Sequence, residues 1–261
     1  MYGTVRDVER AGKLMSMASD AGVELKLVEL DVADDASVAH GFAQILDEAG
    51  HVDVLVNNAG VGGNAVVEEC SAAMYLDVMK VNLCGAIRCA AEVLPGMRER
   101  GSGTIVNITS VVGKFGSVGQ APYVASKWAF EGVSEELAHE VAPFGVRVVI
   151  VEPGITKSAI FAKNVDAPNS TGAYDAQYGR LFQFYAKGIA DATPAEEVAA
   201  VIHEAITTDE PRLRYRVSWG SEEIVAGRAA MSDEEWVALG AIDDNAEYVA
   251  AFERYFGLDL S

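Results

Sequence analysis

The segment Val52-Asp53-Val54-Leu55-Val56-Asn57-Asn58-Ala59-Gly60 contains a short apolar run that ends in a polar turn. An apolar run of this length, bounded by turn residues, is typical of a strand buried in a parallel sheet. Similar runs occur over Leu25–Leu30, Thr104–Ile108 and Val146–Val151. Because longer stretches with helical spacing separate these runs, the sequence predicts an α/β fold with a doubly wound parallel sheet in three layers.

The stretches between the strands predict long helices. Apolar residues recur near helical spacing over Ala36–Ala49, and long helices are also predicted over Ser71–Met97 and Tyr123–Ala142. Ser71 is a suitable N-cap for the second of these helices. A last strand is predicted within Arg214–Trp219.

Length and composition narrow the classes of function. The chain has 261 residues, 50% of them hydrophobic, which predicts one core and a single domain over 1–261. A formal net charge of −19 disfavours binding to nucleic acids. No apolar run is long enough to span a membrane, and no signal peptide is expected. The histidines and the three cysteines lack metal-ligand spacing, so no metal site is predicted, and free thiols favour a cytoplasmic location.

Tyr123 and Lys127 carry the strongest chemical signal. They are four residues apart in a predicted helix and therefore lie on one face of it. A tyrosine phenol has a pKa near ~10, too high for a base at neutral pH, but a neighbouring ammonium favours the phenolate. Tyr123 is therefore predicted to exchange a proton with an alcohol or a ketone. Ser110, at the end of its strand, is predicted to hold the same substrate oxygen.

A Tyr-x-x-x-Lys pair alone is a weak signal, because a surface tyrosine on a helix produces it by chance. Here the pair occurs together with Asn57-Asn58-Ala59-Gly60 after a strand and with Asn82 in a helix. Pro153-Gly154 follows another strand, and hydroxyl groups come next at Thr156 and Ser158. The joint pattern favours an oxidoreductase that uses a nicotinamide cofactor.

With these motifs the chain resembles the short-chain dehydrogenase/reductase family, of the single-domain kind with a Rossmann-like sheet. The resemblance extends from Tyr2 to the tail and implies a catalytic tetrad of Asn82, Ser110, Tyr123 and Lys127. In that tetrad Asn82 would hold a water that relays protons from Lys127. The resemblance also implies that a cofactor meets Asp31, Val32, Asn58, Ala59, Gly60, Tyr123, Lys127, Pro153, Gly154, Thr156 and Ser158. Asp31 and Val32 would flank the adenine, whereas Asn57 would line the cofactor or stabilise the sheet.

Two segments resemble one branch of the family in particular. Thr4-Val5-Arg6-Asp7 and the residues 122–132 are similar to the 17β-hydroxysteroid and retinol dehydrogenase-like branch, which implies an apolar alcohol or ketone as substrate. Arg6 would follow the second strand, where an acidic residue would instead bind the ribose of NAD. Because a guanidinium suits a 2′-phosphate, NADP(H) is predicted over NAD. The alternative is a surface arginine paired with Asp7 or Glu9.

The segment 155–192 shows no clear alternation of strand and helix patterns. It is rich in aromatic residues, among them Phe161, Tyr174, Phe182 and Tyr185. It is predicted to form a lid over the substrate, and its apolar character favours a bulky apolar ligand. A small helical subdomain packed on the core would show the same composition, so both interpretations stay open.

The family's glycine-rich phosphate turn does not occur before Asn57. In the family's strand order 3-2-1-4-5-6-7, a chain without it lacks the first strand and the first helix, and a gap between strand edges is expected. Gly60-Val61-Gly62-Gly63 follows a later strand and is a poor substitute. The preferred interpretation is that Met1 is an internal residue of a longer functional protein, and the alternative is a genuine truncation.

The predicted activity is hydride transfer between NADP(H) and the carbinol or carbonyl carbon of an apolar alcohol or ketone. The alternatives are a non-catalytic dinucleotide-sensing module and an inactive truncated fragment. A related epimerase or dehydratase is disfavoured by Asn57-Asn58-Ala59-Gly60. The resemblance further implies a homo-dimer or homo-tetramer formed through the helices predicted at Ser71–Met97 and Tyr123–Ala142.

Overall fold

A computed structural model of the chain describes residues 1–162 and 167–261, so that residues 163–166 of the predicted lid lie outside it. The strands are β1 (Tyr2–Val5), β2 (Lys26–Glu29), β3 (Val54–Asn57), β4 (Gly103–Ile108), β5 (Val146–Pro153) and β6 (Arg214–Val217). The helices are α1 (Gly12–Asp20), α2 (Asp35–Ala49), α3 (Ala72–Asn82), α4 (Cys84–Arg100), α5 (Ala121–Val141), α6 (Ala159–Ala162), α7 (Asp175–Ala190), α8 (Ala195–Thr207), α9 (Ser221–Ala230), α10 (Asp233–Gly240) and α11 (Asn245–Phe256).

The strands run parallel and form two separate sheets. β3, β4, β5 and β6 lie side by side in that order, with Val56 opposite Val106 and Asn107 opposite Ile150. β1 pairs with β2 alone. No strand in the described part of the chain lies between β1 and β3, so each of them has an edge without a ladder partner. The predicted α/β arrangement, and the gap expected in its sheet, are both confirmed.

Helices cover both faces of the larger sheet and complete the three layers. On one face Ile105 and Val148 pack against α2 and α4, and on the other Val106 and Val149 pack against Ala205 of α8. Burial on both faces of the sheet explains why most residues of β4 and β5 are apolar. Among the described helices, none is both long enough and apolar enough to cross a membrane.

Local polar contacts decide where several helices begin and end. The Asp34 carboxylate accepts a hydrogen bond from Ser37 N (2.7 Å) at the start of α2. Ser71 Oγ accepts one from Met74 N (3.2 Å) at the start of α3, as the sequence predicted. Gly101 ends α4 at a φ of 70°, a left-handed conformation that glycine adopts without a steric penalty.

The prediction of one continuous helix over Ser71–Met97 is wrong. The chain leaves helical geometry at Leu83, where φ is −112° and ψ is −63°, and α3 and α4 lie on either side of it. Asn82, at the break, directs its side chain to both backbone groups of Val61. The break therefore fixes the turn that follows β3 against the helical layer.

Candidate active site

The carboxyl ends of β3, β4 and β5 meet at one edge of the larger sheet. Asn57, the last residue of β3, donates from Nδ2 to Asn107 Oδ1 of β4 (2.9 Å). Asn107 in turn donates to Ser134 Oγ of α5 (2.9 Å). All three side chains are buried, so Asn57 joins two strands and a helix and stabilises the sheet.

Three residues of the implied tetrad come together at this edge. Lys127 Nζ donates to Ile108 O at the end of β4 (2.9 Å) and lies 5.7 Å from the centroid of the Tyr123 ring. Ser110, which follows β4, lies beside the Tyr123 side chain and donates a hydrogen bond from Oγ to Pro153 O at the end of β5 (3.4 Å). The sequence pattern therefore identified groups that are adjacent in space although they come from different elements.

Burial shifts the ionisation of the tyrosine and the lysine. It raises the pKa of Tyr123 to about 12, against the opposing effect of the hydrogen bond with Ser110. It lowers the pKa of Lys127 to about 8, against the opposing charge of Glu131. The sequence argument expected a lowered pKa for Tyr123, but in the protein alone the desolvation of a phenolate is the larger effect. The ammonium of Lys127 therefore loses its proton far more readily than an ordinary lysine.

Asn82, the fourth residue of the implied tetrad, is buried beside this group. Its Nδ2 donates to Val61 O (2.9 Å) and to Ser126 Oγ (3.0 Å), and its Oδ1 accepts from Val61 N (2.8 Å). These bonds use both amide hydrogens and fasten the turn after β3 to α5. The hydrogen bonds found in the described part of the chain do not join the side chains of Asn82 and Lys127.

Arg6 follows β1 and is exposed. Asp7 forms its ion pair with Arg10 (3.2 Å), and no ion pair to Arg6 occurs among residues 1–162 and 167–261. The alternative interpretation of Arg6, a surface pair with Asp7 or Glu9, is therefore not observed.

The other residues implied in nucleotide binding follow the ends of β2 and β3. Asp31 Oδ1 accepts a hydrogen bond from Ala33 N (2.9 Å), which shapes the turn after β2, and Val32 is half-buried in the same turn. Asn58, Ala59 and Gly60 form an exposed turn after β3. The first turn follows β2, the strand that pairs with β1, and the second follows β3.

The segment after β5 is held tightly by its neighbours. A Cβ atom at Gly154 would lie 2.1 Å from Trp219 O, so this position accepts only glycine. The Thr156 hydroxyl lies 2.7 Å from Ser218 Oγ, and the two hydroxyls hydrogen-bond to each other. Ser158 is exposed in the bend that follows.

The described side chains fit the two ends of a nicotinamide dinucleotide better than the pyrophosphate between them. The Lys127 ammonium and the Tyr123 hydroxyl are suitable partners for a ribose hydroxyl, and Arg6 is a suitable partner for a phosphate. Between β1 and β3, the described residues provide no glycine-rich turn that opens a helix toward a pyrophosphate.

Sequence reasoning missed a buried polar cluster beside Tyr123. The Tyr185 hydroxyl of α7 donates to Asn64 Oδ1 (3.0 Å) and accepts from Gln120 Nε2 (2.5 Å). Burial raises the pKa of Tyr185, and the proximity of Tyr123 adds to this rise. The only sequence signal was the position of Gln120, immediately before the helix that carries Tyr123.

Comparison with known proteins identifies the family. The family model for short chain dehydrogenases matches residues 2–169. The chain belongs to the short-chain dehydrogenase family. A 17-beta-hydroxysteroid dehydrogenase type 1 of Mus musculus is 36% identical to this short-chain dehydrogenase over 223 residues, which are 82% of this chain and 64% of the mouse protein. Retinol dehydrogenase 8 of Bos taurus is 34% identical over 239 residues, covering 88% of this chain and 76% of the bovine protein.

Solved structures lead to the same family. A short-chain dehydrogenase from Streptomyces avermitilis superposes with a TM-score of 0.77 at 34% identity, covering 92% of this chain and 90% of that one. An actinorhodin polyketide ketoreductase solved with NADPH gives a TM-score of 0.69 at 30% identity, over 84% and 86% of the two chains. The Rossmann-like fold and the family predicted from the sequence are confirmed, and the short-chain dehydrogenase is an oxidoreductase.

Proposed function

We propose that this chain is an NADP(H)-preferring alcohol dehydrogenase or ketone reductase that acts on apolar substrates. The observation that carries the proposal is the group formed by Ser110, Tyr123 and Lys127 at the carboxyl ends of the strands. A bound nicotinamide would supply or accept the hydride. The side chains of this group would manage the accompanying proton.

The protonation states suit reduction of a ketone. The raised pKa of Tyr123 keeps its hydroxyl protonated at neutral pH, ready to donate to a carbonyl oxygen. Ser110 would hold the same oxygen, since its hydroxyl already meets that of Tyr123. The ammonium of Lys127 would stabilise the phenolate left after donation. In alcohol oxidation the same proton would move in the opposite direction.

The preference for NADP(H) is supported by Arg6 and by relatives. An exposed guanidinium after β1 that pairs with none of the described carboxylates is suited to a 2′-phosphate, whereas NAD would call for an acidic residue there. The actinorhodin ketoreductase was solved with NADPH, and a metagenomic short-chain oxidoreductase, 32% identical with a TM-score of 0.55 over 59% of this chain, was solved with NADP. Asp31, Val32 and the turn 58–60 would line the rest of the cofactor, with Pro153, Gly154, Thr156 and Ser158 at its nicotinamide end.

We also propose that the chain forms one domain and that the described part of 155–192 covers the substrate. Phe161 and Phe182 pack against the Tyr185 ring, at centroid distances of 5.4 and 6.4 Å. The carboxylate of Glu69 accepts hydrogen bonds from Thr171 N (2.9 Å) and Thr171 Oγ1 (2.7 Å), which ties this segment to the connection just before α3. A wall of aromatic rings favours an apolar alcohol or ketone.

The proposed assembly is a homo-dimer or homo-tetramer in the cytoplasm. Apolar side chains on the outer helices support association, since Leu76 is 66% exposed and Trp128 is 50% exposed. The free thiols of Cys70, Cys84 and Cys89 support a reducing compartment. A monomer in analytical ultracentrifugation at micromolar concentration would contradict the assembly.

A non-catalytic dinucleotide-sensing module, or an inactive fragment of such an enzyme, is the second candidate. The observation that favours it is the unpaired edge of β3, beside the turn where a cofactor would lie. Binding of NADPH and turnover of an apolar ketone therefore have to be measured separately.

The test compares Tyr123→Phe with the wild-type chain and with Tyr75→Phe as a matched control on α3. We expect wild-type and control to bind NADPH, by quenching of protein fluorescence, and to oxidise it with an apolar ketone. Tyr123→Phe should still bind NADPH but lose turnover by roughly 10²–10⁴-fold, the range for removal of a positioned acid. Near wild-type turnover in this variant would refute the proposal. Binding without turnover by the wild type would favour the sensing module, and no binding would favour the fragment.

A further inference from the structure

Helix α5 carries a third ionisable side chain at the same four-residue spacing as Tyr123 and Lys127. Tyr123, Lys127 and Glu131 follow one another at intervals of four residues, so their side chains lie along one face of the helix. Glu131 is 4% exposed and Lys127 is 5% exposed. A buried carboxylate thus lies one turn beyond the buried ammonium.

Several elements hold the Glu131 carboxylate. The Thr109 hydroxyl, at the end of β4, donates to Oε1 (2.5 Å). Lys114 Nζ, from the loop before α5, lies 3.6 Å from Oε2, and Arg214 Nε, on β6, lies 3.2 Å from the same oxygen. Both oxygens of the buried carboxylate therefore have a polar or cationic partner.

The same arginine links Glu131 to a second buried acid. Arg214 Nε lies 3.2 Å from Glu152 Oε1, and Glu152 is completely buried on β5. At the surface, Arg214 also pairs with Glu135 (2.5 Å), one turn farther along α5. Among the described residues, the cations within 4.0 Å of the Glu131 carboxylate are therefore Lys114 and Arg214, and the arginine links it to Glu152. Lys127 lies one helical turn away on the same face of α5.

Lys127 has few other means of staying charged. Within the described part of the chain, its ammonium donates a hydrogen bond to one carbonyl, Ile108 O, and lies 5.7 and 5.6 Å from the ring centroids of Tyr123 and Phe130. Desolvation disfavours its charge, and the carboxylate of Glu131 is the group that opposes desolvation. Loss of the charge would leave the phenolate of Tyr123 without its counterion.

We propose that Glu131 is a positioning residue that keeps Lys127 protonated beside Tyr123, so that α5 carries a functional series of tyrosine, lysine and glutamate. The expected change in turnover rests on the proposed function. The effect of Glu131 on the protonation of Lys127 does not. Glu131 touches neither the substrate nor the cofactor in this scheme. Its action is exerted through the protonation of Lys127.

The primary experiment titrates Lys127 by NMR of the full chain labelled at lysine Nζ and Cε, with the signal assigned by Lys127→Arg. In the wild type we expect a midpoint near the lowered pKa of about 8. Glu131→Gln should move the midpoint down by at least ~1 pH unit, because an opposing charge nearby shifts a pKa by roughly one to three units. Glu135→Gln is the matched control, since Glu135 pairs with the same arginine but lies at the surface, and it should leave the midpoint unchanged.

A second variant should shift the titration midpoint of Lys127 in the opposite direction. Its result does not depend on whether Glu131→Gln folds. Lys114→Met removes a competing cation from Glu131 at a partly exposed position, so the midpoint of Lys127 should rise. If Glu131→Gln is folded by circular dichroism and Lys127 titrates as in the wild type, the proposal is overturned. It is also overturned if Glu131→Gln fails to fold and Lys114→Met leaves the midpoint unmoved.

Kinetics separate this inference from the proposed function. If the wild type reduces ketones, the pH profile of kcat/KM in Glu131→Gln should shift in the same direction as the NMR midpoint, and that of Glu135→Gln should not. If the wild type shows no turnover, the proposed function fails, while the NMR midpoints still decide the role of Glu131.

Discussion

Replacement of Lys127 by methionine tests how strongly burial disfavours the charged form of this amine. The folded chain lowers the pKa of Lys127 from its ordinary value of 10.5 to about 8. Keeping the proton on the buried amine below pH 8 therefore costs roughly 3 kcal/mol relative to the unfolded chain. Methionine removes that cost, but it also removes the hydrogen bond to Ile108 O, and a buried carbonyl left without a partner costs ~1–3 kcal/mol.

The two effects nearly cancel at neutral pH, so the dependence on pH is the informative quantity. Between pH 8 and pH 10.5 the unfolded chain holds a proton that the folded chain has released, and stability rises with pH wherever that is so. Between pH 7.5 and pH 9.5 the wild type should therefore gain about 2 kcal/mol relative to Lys127→Met. Cys89 and Tyr123, whose pKa values are raised, act in the opposite direction at higher pH, but both are present in the two proteins.

The assay is urea denaturation followed by tryptophan fluorescence at pH 7.5 and at pH 9.5. Lys80→Met is the matched control, because it removes an exposed lysine on α3 and should leave the pH dependence close to that of the wild type. Parallel stability curves for wild type and Lys127→Met over this range would show that burial does not penalise the charge. The physical basis for the role of Glu131 would then disappear as well.

Two further predictions concern the cofactor and the lid. Arg6→Glu should lower the preference for NADPH over NADH by at least ~10-fold, since it replaces a partner of the 2′-phosphate with a repelling charge, and Kd values for the two nucleotides measure it. An unchanged ratio of the Kd values for NADPH and NADH would show that Arg6 does not contact the cofactor. Tyr185→Phe should cost ~1–3 kcal/mol in urea denaturation, because Gln120 loses a buried partner, and should raise KM more than it lowers kcat. A variant with wild-type stability and KM would contradict the proposed place of α7 over the substrate.

The sequence predicted most of the secondary structure and the family, because both depend on local patterns. A buried parallel strand is a short apolar run whatever surrounds it, and β4 and β5 were found in this way. Tyr123 and Lys127 were found because helical spacing alone makes them neighbours. Ser110 was found from its position directly after an apolar run, at the predicted end of a strand.

What the sequence did not predict depends on contacts across the fold. At the break at Leu83, the Asn82 side chain binds the backbone of Val61, in a turn that is distant in the sequence. The periodicity of apolar residues does not reveal such a bond. The cluster of Asn64, Gln120 and Tyr185 joins three segments that are far apart in the sequence. The raised pKa of Tyr123 required knowledge of its burial, which the spacing to Lys127 does not contain.

The separation of β1 and β2 from the larger sheet has a consequence for how the molecule fluctuates. Among the strands that the structure describes, β1 pairs with β2 alone, and α1 contributes no buried residue. The contacts that retain this unit run mainly through β2 and α2 to α4, so it can open without disturbing the centre of the fold. Its backbone amides should exchange with solvent deuterium sooner than those of β4 and β5. A ligand that contacts Arg6 and Asp31 would then have to order this unit of β1 and β2, and its binding free energy would include the entropic cost of doing so.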